Sequence, residues 1–218
     1  MGFALRPGLH FCEAASAFIF LDLKKDRYFR LPARLEDHFR NLVDNPLSAG
    51  STAPPLIEAG LLRPAIFRQS LSRPRLVACT SGLDALGAGG PGGFEVARAL
   101  VSDIGVSQQL RLGRLAALIA SYENAKVGRT LATPLTDDGP ARVVRAYERA
   151  RLFRASANRC LSRSLAMARR LAGLRCDALL VIGVRAQPFA AHAWVQSGDI
   201  VLNETPDEVA RYTPIFFA

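Results

Sequence analysis

A glycine-rich run, Gly87-Ala-Gly-Gly-Pro-Gly-Gly93, interrupts the chain and constrains its fold more than any other feature. Five glycines and one proline in seven residues make a helix or strand costly, because glycine loses much backbone entropy when it is ordered. We therefore predict a linker at residues 85–93, between a first domain of residues 1–84 and a second of residues 94–218. A chain of 218 residues is long enough for two small domains.

The first domain carries the patterns of three short strands followed by helices. Lys24-Lys-Asp26 is a polar break suited to a hairpin turn, and Pro32 ends strand pairing before a helix with apolar residues at helical spacing. This order is typical of a small winged-helix-like α+β domain. The predicted strands are Leu9–Glu13, Ala17–Asp22 and Arg27–Leu31, and the predicted helices are Ala33–Asn45 and Pro54–Gly60, with a loop over Pro46–Ala53.

The second domain begins with helical patterns and ends with strand patterns. A helix rich in alanine and arginine is followed by an apolar run and by two segments joined by a tight turn at Ser197-Gly198. Helices followed by a small antiparallel sheet again indicate an α+β fold. The predicted helices are Phe94–Val101, Ser107–Ala125, Val143–Phe153 and Ser156–Leu171, and the predicted strands are Ala178–Val184, Ala190–Gln196 and Asp199–Asn203.

The basic composition allows an acidic partner. The formal net charge is +9, and ten arginines with a single acid lie from Arg142 to Arg175. A nucleic-acid-binding winged helix needs a basic recognition helix, whereas Ala33–Asn45 carries two arginines against three acids. We therefore rank a nucleic-acid-binding function low.

The chain shows no signal for a membrane or for export. Its apolar runs are far shorter than the roughly 18 residues of a membrane span, and His10 and Glu13 interrupt any secretory signal. We expect a cytoplasmic protein whose four cysteines are reduced thiols. We expect no metal site, because His10 and Cys12 alternate on one strand without further ligands.

Cys160 is the candidate nucleophile. It falls in the first turn of a predicted helix, where free backbone N–H groups and the helix dipole favour thiolate over thiol. His192 begins a strand directly before the turn at residues 197–198, and folding that hairpin places Val195 near Val201. The sequence therefore predicts a cysteine and a histidine that act together in nucleophilic catalysis.

An acid opposite His192 would orient its imidazole and stabilise the imidazolium. The same hairpin places His192 near Asn203 or Glu204, whereas Asp199 belongs to the turn. We favour Glu204 as the third residue and keep Asp199 as the alternative, because a β-bulge would shift the register.

The second domain resembles a known family of enzymes. Cys160-Leu-Ser-Arg-Ser-Leu-Ala166, Ile182-Gly-Val-Arg185, Phe189-Ala-Ala-His-Ala-Trp-Val195 and Val201-Leu-Asn-Glu204 are similar to segments of the lasso-peptide leader peptidases. These are transglutaminase-like cysteine proteases of the microcin-processing type. That family usually has Asp at the final acid position, where this chain has Glu204.

The resemblance implies a papain- or transglutaminase-like fold and hydrolysis of the leader–core bond of a lasso precursor peptide. Cys160 would attack the scissile carbonyl, His192 would transfer the proton and Glu204 would orient His192. It also implies a partner, an asparagine-synthetase-like lasso cyclase that closes the macrolactam. No cofactor is expected on this chain itself, and ATP dependence would act through that cyclase.

The first domain resembles the PqqD-like RiPP recognition element, on Leu21-Asp-Leu-Lys-Lys-Asp-Arg-Tyr-Phe-Arg-Leu31 and Glu58-Ala-Gly-Leu-Leu62. The resemblance implies that it binds the precursor's leader peptide as an added strand. An exposed edge strand offers backbone N–H and C=O groups to such a peptide. The residues expected to bind the leader are Arg27, Tyr28, Phe29, Arg30 and Leu31 on the strand, with Leu56, Ile57 and Leu61 lining an apolar groove.

A second enzyme class stays open. A transglutaminase-like acyltransferase would use the same cysteine, histidine and acid with an amine acceptor in place of water. The sequence does not separate the two reactions.

Overall fold

The computed structural model describes residues 2–45, 49–65, 71, 74–86, 90–127, 133–135, 137–154 and 159–218. The chain forms two compact units, Met1–Arg75 and Leu76–Ala218, which are described separately. The first unit therefore ends earlier than the predicted boundary at residue 84. Of the predicted linker, residues 87–89 lie outside the described residues.

Residues 76–86 belong to the second unit because they hydrogen-bond to its sheet. The N–H of Val201 donates to the carbonyl of Ser81 over 2.9 Å, and the N–H of Thr80 donates to the carbonyl of Asp199 over 2.9 Å. No side-chain periodicity in this stretch indicates such backbone pairing.

The first unit contains two antiparallel sheets and two helices in its described part. The elements are β1 (Gly2–Leu5), β2 (Leu9–Ala14), β3 (Ala17–Asp22), β4 (Arg27–Arg30), α1 (Ala33–Asp44), α2 (Ala49–Glu58) and β5 (Leu62–Ala65). β1 pairs with β5, and the other sheet has the order β2-β3-β4. The three predicted strands and the first predicted helix are confirmed. The sequence pattern does not predict β1 and β5, because each strand is only four residues long.

Helix α2 begins before its predicted start. The loop predicted over Pro46–Ala53 is wrong from Ala49 onward, where the helix begins, and residues 46–48 lie outside the described residues. The helix contains Pro54 and Pro55 in its interior, where the missing N–H groups normally disfavour a helix. The fully buried side chain of Leu56 packs this helix into the core.

An aromatic cluster forms the core of the first unit. Phe39 of α1 lies edge-on to Phe11 and Phe20, each at 4.9 Å between ring centroids, and to Phe18 at 5.1 Å. Such edge-to-face pairs add roughly 0.5–1.5 kcal/mol each beyond the burial of their area. They join α1 to β2 and β3 and support the sheet that ends in β4.

The turn before β4 is held by a buried carboxylate. Asp22 is fully buried, pairs with Nη2 of Arg6 at 2.6 Å and accepts the N–H groups of Lys24 and Lys25. Burial opposes ionisation of this carboxyl, but Arg6 and the two N–H groups outweigh it and keep its pKa below the ordinary value. The charged Asp22 thus fixes the hairpin between β3 and β4.

The second unit packs helices against one antiparallel sheet. Its described elements are α3 (Gly93–Arg111), α4 (Leu115–Lys126), α5 (Asp138–Arg151), α6 (Cys160–Gly173), β6 (Leu179–Arg185), β7 (Ala190–Ser197), β8 (Ile200–Val201), α7 (Pro206–Val209) and β9 (Thr213–Phe217). The strand order is β8-β7-β6-β9. The predicted α+β class is confirmed.

The break between the first two helices of this unit lies elsewhere than predicted. The predicted helices Phe94–Val101 and Ser107–Ala125 become one helix that ends at Arg111 and a second that starts at Leu115. Gly113, with φ +69, makes the turn, because glycine adopts this left-handed conformation without steric cost. Gly105, which lies between the two predicted helices, is inside α3.

The sheet also departs from the sequence pattern. Gln196, not Val195, pairs with Val201, and the strand predicted over Asp199–Asn203 is reduced to β8, two residues long. No sequence pattern predicts β9, which pairs with β6 over a long sequence separation.

Two arginines of the basic segment form ion pairs with acids of α3. Arg154 pairs with Asp103 at 2.9 Å and Arg170 with Glu95 at 3.4 Å.

In the part of the chain that the structure describes, no helix is long and apolar enough to cross a membrane.

Candidate active site

Cys160 is the first residue of α6, and its side chain is partly buried. The first backbone N–H groups of a helix have no partner within that helix, and the helix dipole is positive at this end. The side chain of His192 and the N–H groups of Ala193 and Leu161 all hydrogen-bond to the sulfur. The predicted position of Cys160 at a helix start is confirmed, whereas residues 156–158 of that predicted helix lie outside the described residues.

His192 lies in β7, opposite Gly183 of β6. Its ring packs against Tyr212 at 5.2 Å and stacks on Trp194 at 6.3 Å between ring centroids. Gly183 gives room for this arrangement, because a Cβ at that position would lie 2.7 Å from the Trp194 ring. Two aromatic side chains thus pack against the imidazole, one from its own strand and one from the segment before β9.

Glu204 is the acid beside His192. Its Oε1 lies 3.5 Å from Nε2 of His192, at the outer limit of a hydrogen bond, and Nε2 is buried with no closer partner among the described residues. The same imidazole also hydrogen-bonds to the thiol of Cys160. Asp199, the alternative acid, lies in the turn and accepts a hydrogen bond from the Thr80 hydroxyl.

The electrostatics of the three groups favour a thiolate–imidazolium pair. Burial disfavours the charge on each of Cys160 and His192, but their mutual hydrogen bond and attraction outweigh it. As a result the pKa of the Cys160 thiol is lowered and that of His192 is raised to about 9. The hydrogen bond from His192 also lowers the pKa of Glu204, although burial opposes this. The lowered pKa therefore favours Cys160 as a nucleophile.

A buried hydrogen-bond network, which the sequence analysis does not predict, connects the elements that carry these residues. Ser164, one helical turn after Cys160, donates from Oγ to the carbonyl of Ala193 over 2.8 Å. Asn203 donates from Nδ2 to Ser164 Oγ over 2.8 Å and accepts the N–H of Val195 on its Oδ1, also over 2.8 Å. Beyond the end of β8, the Asn203 side chain thereby accepts a hydrogen bond from β7 that the backbone of a longer strand would otherwise accept. In the sequence, this network is indicated only by its two polar residues, Ser164 and Asn203, each of which has an apolar neighbour.

The residues predicted to bind a leader peptide separate into two groups. Residues 27–30 form β4, at the edge of the β2-β3-β4 order, and Leu31 follows it as a buried residue. Leu56 and Leu61 are buried in the core, at 0% and 4% exposure, so neither has surface available to line a groove. Ile57 is partly buried and packs against that core. The prediction that Leu56 and Leu61 line an apolar groove is therefore wrong, because both side chains pack in the core of the first unit.

No cluster of three or more His, Cys, Asp and Glu side chains within the described ranges is placed to hold a metal ion. The four cysteines are free thiols. Burial raises the pKa of Cys12 to about 12 and that of Cys176 to about 11, so these two thiols stay protonated, in contrast to Cys160.

Comparisons with known proteins point to one family. Residues 104–217, more than half of the chain, match the transglutaminase-like superfamily. The microcin J25-processing protein McjB of Escherichia coli is 50% identical over 48 residues, which are 22% of this chain and 23% of that protein. The match thus spans less than a quarter of the length of that relative. No solved structure matches the chain. The first two findings support the resemblance on which the second domain was interpreted.

Proposed function

Because this chain belongs to the transglutaminase-like superfamily, we propose that it is a cysteine peptidase of lasso-peptide biosynthesis. It would remove the leader peptide from a precursor and leave the core for cyclisation. The juxtaposition of Cys160, His192 and Glu204 is the observation that carries this proposal. The similarity to a microcin-processing protein supports the choice of substrate.

The first half of the reaction forms an acyl-enzyme. The thiolate of Cys160 attacks the carbonyl carbon of the scissile bond, and the carbonyl π electrons move to oxygen. The backbone N–H at the start of α6 stabilises that oxyanion. Collapse of the tetrahedral adduct breaks the C–N bond, and the His192 imidazolium donates its proton to the leaving amine. The amine is the new N-terminus of the core peptide.

The second half regenerates the enzyme. Neutral His192 takes a proton from a water molecule, whose oxygen attacks the thioester carbonyl. The C–S bond then breaks, the leader leaves as a carboxylic acid, and Cys160 returns as a thiolate paired with the imidazolium. Glu204 holds the ring orientation and stabilises its positive charge in both halves. The atoms and charges of both half-reactions balance without a metal or a redox cofactor.

The first unit would supply leader recognition as a PqqD-like element. β4 lies at the edge of its sheet, and an extended peptide adds to such an edge through main-chain hydrogen bonds. An asparagine-synthetase-like cyclase would accept the core peptide, and any ATP dependence of processing would arise there. The protein would work in the cytoplasm, where its free thiols remain reduced.

Mass spectrometry of a precursor peptide incubated with the protein tests the reaction. Candidate precursors are the products of any short open reading frames found near the gene for this chain. Hydrolysis gives a leader and a core whose masses sum to the precursor plus one water. An acyltransferase would instead give a leader fragment that carries the added amine. The Cys160→Ala and His192→Ala variants should each abolish cleavage, and cleavage by Cys160→Ala at the wild-type rate would exclude the proposed nucleophile.

A further inference from the structure

A cavity of about 210 Å³ lies next to the candidate active site, within the second unit. Its floor is buried and is made by Trp194, Gln196 and Val209. Val77 and Ala210 stand at its rim and are exposed, so the cavity opens to solvent on that side. The remaining lining residues are Leu76, Ala78, Cys79, Pro206, Tyr212 and Pro214.

Two walls of the cavity are also the side chains that hold His192. Trp194 and Tyr212 line it, and the rings of both pack against the imidazole. Tyr212 also lies close enough to Cys160 for the charge of the thiolate to contribute to the raised pKa of its hydroxyl, which is mainly due to burial. The cavity is therefore separated from the His192 imidazole by side chains that contact that imidazole directly.

The polar side chains in the lining already have partners, including the Tyr212 hydroxyl, which donates to Glu208 over 3.4 Å. Gln196 accepts the Trp194 indole N–H on Oε1 over 2.9 Å and donates from Nε2 to the carbonyls of Val77 and Gly198, at 3.0 and 2.9 Å. The Cys79 thiol donates to the same Oε1 over 3.4 Å, and burial raises its pKa, so it stays neutral. A charged occupant would lose its hydration here without meeting an unpaired polar side chain of the lining.

We infer that this cavity is a substrate pocket that binds one large apolar side chain of the peptide, within a few residues of the bond that is cut. The inference rests on the proposed peptidase function and names the substrate feature that would select the cleavage site. An apolar cavity of about 150 Å³ is known to hold a benzene ring, so a leucyl or phenyl side chain fits the volume available here. We assign the pocket to the peptide substrate because Trp194 and Tyr212 both line the pocket and pack against His192.

Peptidyl vinyl sulfones test the pocket without knowledge of the natural precursor. In these reagents the Cys160 thiolate adds to the β-carbon of the vinyl group, the α-carbon takes up a proton, and the protein gains the full mass of the reagent. A set of tripeptide reagents places Gly, Ala, Leu, Phe or Asp at each of the three positions in turn, in an otherwise alanine sequence. The labelling rate of the full chain is followed by mass, and the Cys160→Ala variant serves as the blank for the other thiols.

We expect one position at which Leu or Phe raises the labelling rate at least about tenfold over Gly, with Asp no better than Gly. The Ala210→Leu variant, which fills the cavity from its rim, should lose this preference. Ala97→Leu is the matched control, because Ala97 is an exposed alanine on α3 that does not line the cavity, and it should keep the preference.

The outcomes separate the two hypotheses. Labelling without a side-chain preference, or a preference that survives in Ala210→Leu, would overturn the pocket and leave the peptidase intact. Failure of every peptidyl reagent, while iodoacetamide still alkylates Cys160, would overturn both the peptidase and the pocket. An unchanged melting temperature of Ala210→Leu excludes misfolding as the cause of a lost preference.

Discussion

Asn203 and Ser164 are joined by a hydrogen bond of 2.8 Å that connects the segment after β8 to helix α6. Asn203 directly precedes Glu204, and Ser164 follows Cys160 by one helical turn on the same face of α6. The same hydroxyl donates to Ala193, the residue after His192. One buried network therefore sets the positions of all three candidate groups relative to one another.

Ser164→Ala should weaken both the fold and the alignment of the site. It leaves the Asn203 amide and the Ala193 carbonyl without their partner in a buried location, which costs about 1–3 kcal/mol of unfolding free energy. We also expect kcat to fall more than KM, and the pH midpoint of Cys160 alkylation to rise, because His192 moves relative to the sulfur. Thermal unfolding and iodoacetamide rates against pH measure these effects.

Ser197→Ala is the matched control for that variant. Its hydroxyl, on β7, also donates to a backbone carbonyl, that of Asp177 at 2.6 Å, but it lies outside the network. It should leave the alkylation midpoint unchanged. A Ser164→Ala variant that loses stability but keeps the wild-type midpoint would reduce the network to a purely structural role.

The coupled charges of Cys160 and His192 predict a bell-shaped pH dependence of cleavage. The lowered pKa of Cys160 makes thiolate available above that value, and the raised pKa of His192, about 9, keeps the imidazolium present until the pH passes through it. In His192→Ala the burial of the thiol is no longer opposed by the imidazolium. We therefore expect the midpoint of iodoacetamide alkylation at Cys160 to shift to higher pH. A midpoint that stays in place would contradict the ion pair.

Glu204→Gln should reduce kcat more than Asp199→Asn does. The first change removes the negative charge 3.5 Å from His192 Nε2 and with it one of the causes of the raised His192 pKa. The alkaline limb of the pH profile should then move to lower pH. Asp199→Asn alters only the turn and its contact with Thr80, so its profile should stay at the wild-type position. The reverse order of the two variants in kcat would transfer the third role to Asp199.

Local patterns in the sequence predict the elements of this chain better than its long-range contacts. The hairpins and α1 follow from alternation, turn residues and helical spacing, which act within a few residues. Glu204 reaches His192 although the predicted register is one residue off, because the chain leaves the strand after Val201 and Asn203 takes over the pairing.

The elements that escape prediction depend on distant partners. β9 is stabilised by pairing with β6, and the short strands β1 and β5 pair with each other from opposite ends of the first unit. Leu56 and Leu61 look like groove residues in the sequence, yet a small unit has few large apolar side chains and buries them. The sequence also does not show which glycine follows the end of a helix. Gly113, with a positive φ, lies just after α3, whereas Gly105 lies inside α3.

Proline substitutions in β4 test whether the leader adds to this edge. Within a strand, successive N–H groups alternate between the neighbouring strand and the open edge, so one of Phe29 and Arg30 donates outward. The variant that removes the outward N–H should weaken leader binding at least about tenfold with little loss of stability, whereas the other should mainly lower the melting temperature. Titration of a synthetic leader peptide into the full-length Cys160→Ala background measures binding without cleavage.

Arg30→Ala and Phe29→Ala keep the backbone N–H and serve as controls for the lost side chains. The Phe29 control is needed because Phe29 stacks on Phe20 at 5.3 Å between ring centroids. Amide exchange should show leader-induced protection over residues 27–31, and unaltered exchange there with a bound leader would rule out strand addition at β4.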